Sequence, residues 1–123
     1  MIRFVVAGSR GFADYEMFEQ SLDRMIEEAA EEEVELVSGH AEGADQMAER
    51  YAEEYAIPIT VIKPDWNTYG RAAGPVRNRQ MLAYAAEESP MVAAFWDGKS
   101  RGTKNTIDTA RKLGIPTRVF RFT

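Results

Sequence analysis

The chain has 123 residues, enough for one domain with a real core and too few for two. Hydrophobic residues make up 45% and charged ones 28%, an ordinary globular balance, and the absence of cysteine excludes disulfides, thiolate metal sites and cysteine nucleophiles. The net charge of −5 is unevenly spread: fifteen acids and two bases lie between Gly11 and Ile57, and eleven bases and five acids between Lys63 and Thr123.

That asymmetry is compatible with an acidic outer face and a basic binding face. The Glu-rich stretch from Glu27 to Glu35 reads as a solvated helix end. Overall acidity makes a poor general nucleic-acid binder, because affinity there comes mostly from phosphate neutralisation. The chain opens Met-Ile-Arg-Phe-Val-Val with no basic segment and long apolar run of a signal peptide, and its longest apolar runs fall short of a membrane span. The expectation is a cytoplasmic protein that does not enter a membrane.

Ile2 to Ala7 is a short apolar and β-branched run, interrupted only at Arg3 and ending in Gly8, the pattern of a buried parallel strand. Asp14 stands where an N-cap would, and Phe18, Leu22, Met25, Ile26 and Ala29 recur at helical spacing. Val34 to Val37 is a second strand closed by Ser38-Gly39. Gly43 to Ala56 is a second helix, with Ala44, Met47, Ala48, Tyr51, Ala52 and Tyr55 on one face. Pro58 to Ile62 is a third strand, edge-like at its proline.

Lys63 to Gly74 is the longest irregular segment, followed by Pro75 in the first turn of a helix running to about Glu87. Met91 to Trp96 is the most hydrophobic strand. Thr103 to Leu113 is the last helix, with Gly114 as a left-handed cap, and Pro116 to Phe122 is the last strand. Strict alternation of strand and helix predicts a single Rossmann-like, three-layer α/β/α domain over residues 1–123, with a mainly parallel five-stranded sheet. In such sheets ligands bind beyond the carboxyl ends of the strands.

The segments after each strand are Gly8-Ser9-Arg10-Gly11, Ser38 through Asp45, Pro64 through Asn78, and Asp97 through Thr103. Each is rich in glycine and small polar residues and opens a helix, which suits close approach of backbone N–H groups to an anion. None matches the dinucleotide fingerprint or the P-loop. Arg10, Arg71, Arg77, Lys99, Arg101 and Lys104 fall in or just after these loops, and guanidinium forks suit phosphate. Trp66 and Trp96 sit in or beside them, where an indole can stack on a base or ribose; Trp96 reads more readily as core.

His40, the only histidine, is a candidate phosphate donor or base. Without clustered carboxylates it makes no metal site, and no metal is expected. Asp45 reads first as a cap of its helix. Thr103 and Thr106 place hydroxyls one turn apart at a helix start.

The set Gly8-Ser9-Arg10, Ser38-Gly39-x-Ala41-x-Gly43-Ala44-Asp45, Pro64-x-Trp66, Gly70-Arg71-Ala72-Ala73-Gly74-Pro75-x-Arg77-Asn78 and Phe95-Trp96-Asp97-Gly98-x-Ser100-x-Gly102-Thr103-x-x-Thr106-Ile107 resembles the YspA-like family of the SLOG superfamily. That superfamily includes the DNA-processing protein DprA and the cytokinin-activating LOG enzymes. The resemblance covers nearly the whole chain. It implies a Rossmann-like fold and a nucleotide-derived ligand, ADP-ribose-like or NAD-related, held by Gly8, Ser9, Arg10, Ser38, Gly39, His40, Gly43, Asp45, Trp66, Arg71, Gly74, Arg77, Asn78, Trp96, Asp97, Gly98, Ser100, Arg101, Gly102, Thr103 and Thr106. Relatives of this kind often dimerise, which makes a homo-oligomer the expectation.

Two departures stand out. His40 and Glu42 occupy the places of a second glycine and an arginine in the family's second loop. Thr106 stands where LOG enzymes carry a glutamate used in N-glycosidic cleavage. The leading expectation is therefore a sensor or sequestering module for a nucleotide-type small molecule. The alternative is a nucleotide N-glycosidic or phosphate-bond hydrolase, with Asp97, Glu42, Asp45 or His40 as acid or base. A second alternative is single-stranded DNA binding of the DprA kind, against which the acidic first half argues.

Overall fold

A computed structural model describes residues 1–30 and 32–122 of the chain. Its five strands are β1 (Ile2–Gly8), β2 (Val34–Ser38), β3 (Ile59–Val61), β4 (Ser89–Trp96) and β5 (Thr117–Arg121). Between them run α1 (Tyr15–Glu28), α2 (Ala44–Glu54), α3 (Trp66–Tyr69), α4 (Ala73–Ala85) and α5 (Arg101–Lys112). Every pairing is parallel and the strand order is β3-β2-β1-β4-β5. This is the expected Rossmann-like architecture.

Strand periodicity divides the core. Phe4, Val6, Leu36, Ala93 and Phe95 face α1 and α2, where Phe18, Leu22, Met25, Ala48 and Tyr51 pack on them. Val5, Val37, Val92 and Ala94 face the other way, onto Met81, Leu82 and Ala85 of α4 and Ile107 and Ala110 of α5. Phe4–Ala7 of β1, Leu36–Val37 of β2 and Val92–Phe95 of β4 are buried on both faces, which is why those stretches read as apolar runs; Arg3 and Glu35 interrupt them near the strand starts. β3, after Pro58, is the half-buried edge its proline predicts. Asp14 caps α1 by accepting from Met17 N–H at 3.0 Å, and Gly114 takes φ +72° after α5.

Local differences from the sequence expectation have physical causes. Lys63 to Gly74 is not wholly irregular: Asp65 accepts from Thr68 N–H at 3.1 Å and opens the single turn of α3, followed by a 3₁₀ turn over Gly70–Ala72. Pro75 is the third residue of α4, and α5 begins two residues before Thr103 because Ser100 caps it.

Within the Glu-rich stretch, Glu31 lies outside the described residues, and Glu35 is not solvated. It is buried on β2, where it accepts from Arg3 Nε at 2.8 Å, from the Tyr84 hydroxyl at 2.7 Å and from Thr60. Burial raises its proton affinity, but those donors hold it net below the usual carboxylate range. This cluster sits at the amino-terminal side of β1 and β2 and ties them to β3 and α4. No helix among the described residues is long and apolar enough to cross a membrane.

Candidate functional site

β1 leads to α1 on one face of the sheet and its neighbour β4 leads to α5 on the other, so their carboxyl ends diverge. A cleft of about 910 Å³ opens there, bordered by the loops after β1, β2, β3 and β4.

After β1, Gly8, Ser9, Arg10 and Gly11 line the cleft. Any Cβ on Gly8 would collide with Ala44 of α2, so glycine lets the two elements meet. Ser9 is buried; its N–H donates to the Phe95 carbonyl at 2.9 Å and its hydroxyl accepts from Asp97 N–H at 3.3 Å. The β1 and β4 loops are thereby fixed to each other. Arg10 is exposed at the mouth.

After β2, Gly39, His40, Ala41 and Asp45 line the cleft. Ser38 lies beneath them: fully buried, it donates to the Asp45 carbonyl at 3.1 Å and accepts from His40 N–H at 3.3 Å. Gly43 lies behind the lining at φ +82°, pressed against the Ser9 carbonyl. His40 has φ +61°, a left-handed conformation that glycine adopts freely and histidine tolerates. Its ring Nδ1 lies 2.8 Å from a Glu49 carboxylate oxygen. Glu42 is exposed and outside the cleft.

Asp45 holds the loop rather than caps α2: its carboxylate accepts from Ala41 N–H at 3.0 Å, while Gly43 is the N-cap. Burial pushes its pKa up to about 6, opposed by the Ala41 N–H and the positive charge of Arg77.

After β3 the lining is Pro64, Trp66, Gly74, Pro75, Arg77, Asn78 and Met81, with Arg71 exposed and outside it. Arg77 is half-buried: Nη1 donates to the Gly39 carbonyl at 2.6 Å and Nε to Asn78 Oδ1 at 3.0 Å. Burial lowers its pKa and Asp45 offsets part of that. Asn78 in turn donates to Asn105 Oδ1 at 3.1 Å and to the Gly102 carbonyl at 3.5 Å. One hydrogen-bond chain thus runs from the β2 loop through α4 to the first turn of α5.

After β4, Asp97, Ser100, Arg101, Gly102, Thr103, Asn105 and Thr106 line the cleft. Asp97 accepts from the N–H groups of Lys99 and Ser100, each at 2.8 Å, which hold its pKa below the usual range. It shapes the turn and makes a poor proton donor at neutral pH. Trp96 and Gly98 fall outside the lining. The Trp96 indole N–H donates to the Ser100 carbonyl at 3.0 Å, and Gly98, at φ +85°, lies under the Arg121 guanidinium.

Sixteen of the residues singled out from the sequence therefore line one cleft, and Ser38, Glu42, Gly43, Arg71, Trp96 and Gly98 do not. Asn105, not singled out, also lines it and joins the Arg77–Asn78 chain. Its place three residues after Gly102 near the start of the same helix is the available signal. Pro64, Pro75 and Met81 carry no polar signal at all.

Comparison with known proteins gives a family and a fold. The model of the YspA, cpYpsA-related SLOG family matches residues 2–69. The Gene 61 protein of Mycobacterium phage D29 is 35% identical over 86 residues, 66% of this chain and 66% of that protein. In fold, the chain is similar along its whole length to DNA processing protein A (DprA) from Streptococcus pneumoniae, with a TM-score of 0.70 at 18% identity. It spans 51% of that DprA chain. The chain belongs to the YspA, cpYpsA-related SLOG family.

Proposed function

We propose that this chain binds a nucleotide-derived, phosphate-bearing small molecule of the ADP-ribose or NAD type in the switch-point cleft, as a sensor or sequestering module. Family membership supports a nucleotide-related or nucleic-acid-binding role in general. The observation that carries the narrower reading is the alignment of Arg77 with the first turn of α5 by the Asn78 bridge. A helix N-terminus carries partial positive charge, and Gly102 and Thr103 bring that turn to the cleft surface, with the Thr103 N–H donating to the capping Ser100 hydroxyl. Arg77 spends two donors on the protein and keeps the rest of its fork for an anion. Arg10 and Arg101 add charge at the mouth.

The test is thermal unfolding across ADP-ribose, NAD and nucleoside phosphates. A ligand that binds only the native state must raise apparent stability. A flat response across the panel refutes the reading.

One observation favours a second reading, hydrolysis of an N-glycosidic or phosphate bond. Asp45 lines the cleft with a pKa pushed up to about 6, a range suited to a general acid or base. Free base or ribose phosphate released from ADP-ribose or a nucleoside monophosphate, and lost in Asp45→Asn, would establish it. Of the other acid–base candidates, Glu42 lies outside the cleft and Asp97 is tied to its own turn, while His40 lines the cleft with its Nδ1 on the Glu49 carboxylate.

A further inference from the structure

One stretch of the cleft lining differs in kind from the rest. On the β4 side stand Asp97, Ser100, Thr103, Asn105 and Thr106, all able to hydrogen-bond. On the β3 side, separated from it in the sheet by β2 and β1, the lining ahead of Arg77 and Asn78 is Pro64, Trp66, Gly74 and Pro75. None of those four carries a charge or an acceptor side chain, and the Trp66 indole N–H is their single side-chain donor.

Trp66 is also 56% exposed, although it is the largest apolar side chain in this segment. Its position is built rather than incidental. Asp65 caps α3 through Thr68 N–H, and that one turn holds Trp66 at the lip instead of letting it fold into the core. Trp66 belongs to neither core cluster, and more than half of it is open to solvent at the rim of the cleft.

We infer that Trp66 and the flanking prolines form a stacking wall for the flat ring of the ligand's base. The inference rests on the nucleotide reading and adds to it the ligand's direction: phosphate toward α5, base toward α3. Such a wall meets the face of a ring and reads little of its edge, because every base has a π-face. The site therefore selects ligands by phosphate and ribose and tolerates different bases, ranking them by ring area.

The experiment titrates wild type, Trp66→Ala and Trp66→Phe with ADP-ribose, ADP, GDP, UDP and ribose 5-phosphate, by calorimetry. Wild type should bind ADP and GDP with similar affinity and UDP more weakly. Trp66→Ala should lose roughly ten- to hundredfold on ADP, GDP and ADP-ribose, with ribose 5-phosphate unchanged. Trp66→Phe, which keeps an aromatic face, should recover most of that loss. Equal losses on ribose 5-phosphate, no loss on ADP, or strong discrimination between ADP and GDP would overturn the stacking wall alone. Failure of wild type to bind any of the five would overturn the nucleotide reading, and the wall with it.

Discussion

The guanidinium of Arg77 lies directly on the backbone of Gly39, donating to its carbonyl at 2.6 Å, and occupies the space a Cβ there would need. Gly39 is a glycine for the sake of a residue 38 positions away, not for its own backbone conformation. The β2 loop and α4 are thus made to fit each other around one cation.

Gly39→Ala should separate these effects. Restricting the unfolded chain would stabilise by about 0.4–1 kcal/mol, whereas overpacking against a held guanidinium costs about 1–3 kcal/mol. The clash should win, giving a lower urea midpoint and weaker binding of ADP-ribose. A more stable protein with unchanged binding would show that Arg77 moves freely.

Arg77→Ala should reduce affinity for phosphate-bearing ligands by roughly 2–4 kcal/mol and leave the far-UV circular dichroism unchanged. Arg77→Lys should restore little, since an ammonium cannot keep two protein contacts in a fixed fork and still present another donor. Titration of both variants checks this, and wild-type affinity in Arg77→Ala would refute the role.

Asp45 and Glu35 are buried carboxyls with opposite pH signatures. The folded-state pKa of Asp45 is raised, to about 6 from 3.8, so folding favours its protonated form. Its contribution is greatest below the unfolded value and is lost as pH rises through about 6; the full swing is about 3 kcal/mol. Asp45→Asn should flatten stability between about pH 4 and 7 relative to wild type. Parallel curves for the two proteins would contradict this.

Glu35 is held below its usual pKa, so its stabilisation is present above the unfolded value and lost as pH falls through the folded one. Glu35→Ala leaves Thr60, Tyr84 and Arg3 without their acceptor, at about 1–3 kcal/mol near neutral pH, and the deficit should shrink in acid. Ligand affinity should not change, because this cluster lies at the other end of the strands. Denaturant melts at several pH values, with one binding titration, measure both effects.

The strands and capped helices were legible because each is specified locally, by an apolar run, by Asp14 before α1 or by Gly114 after α5. What escaped depends on distant partners or on polar turns with no apolar period. Glu35 looks like one more acid in a solvated run, and only Arg3 and Tyr84, 32 and 49 residues away, make it a buried one. Asp45 resembles a helix cap as much as a loop brace, and only the fold of the loop shows that Ala41 N–H, four residues back, takes its carboxylate. α3 has no apolar period to announce it, being a single turn held by Asp65. The cleft itself was legible as a set of strand-end loops, but not the division between residues that line it and residues, such as Trp96, that brace it from behind.

The most direct test of the account is a calorimetric titration of the wild-type chain with ADP-ribose, repeated on Arg77→Ala. The account predicts saturable binding of one ligand per chain that is strongly weakened in the variant. No heat of binding with wild type, or equal binding by both proteins, would contradict a phosphate-bearing ligand in the cleft between Arg77 and α5.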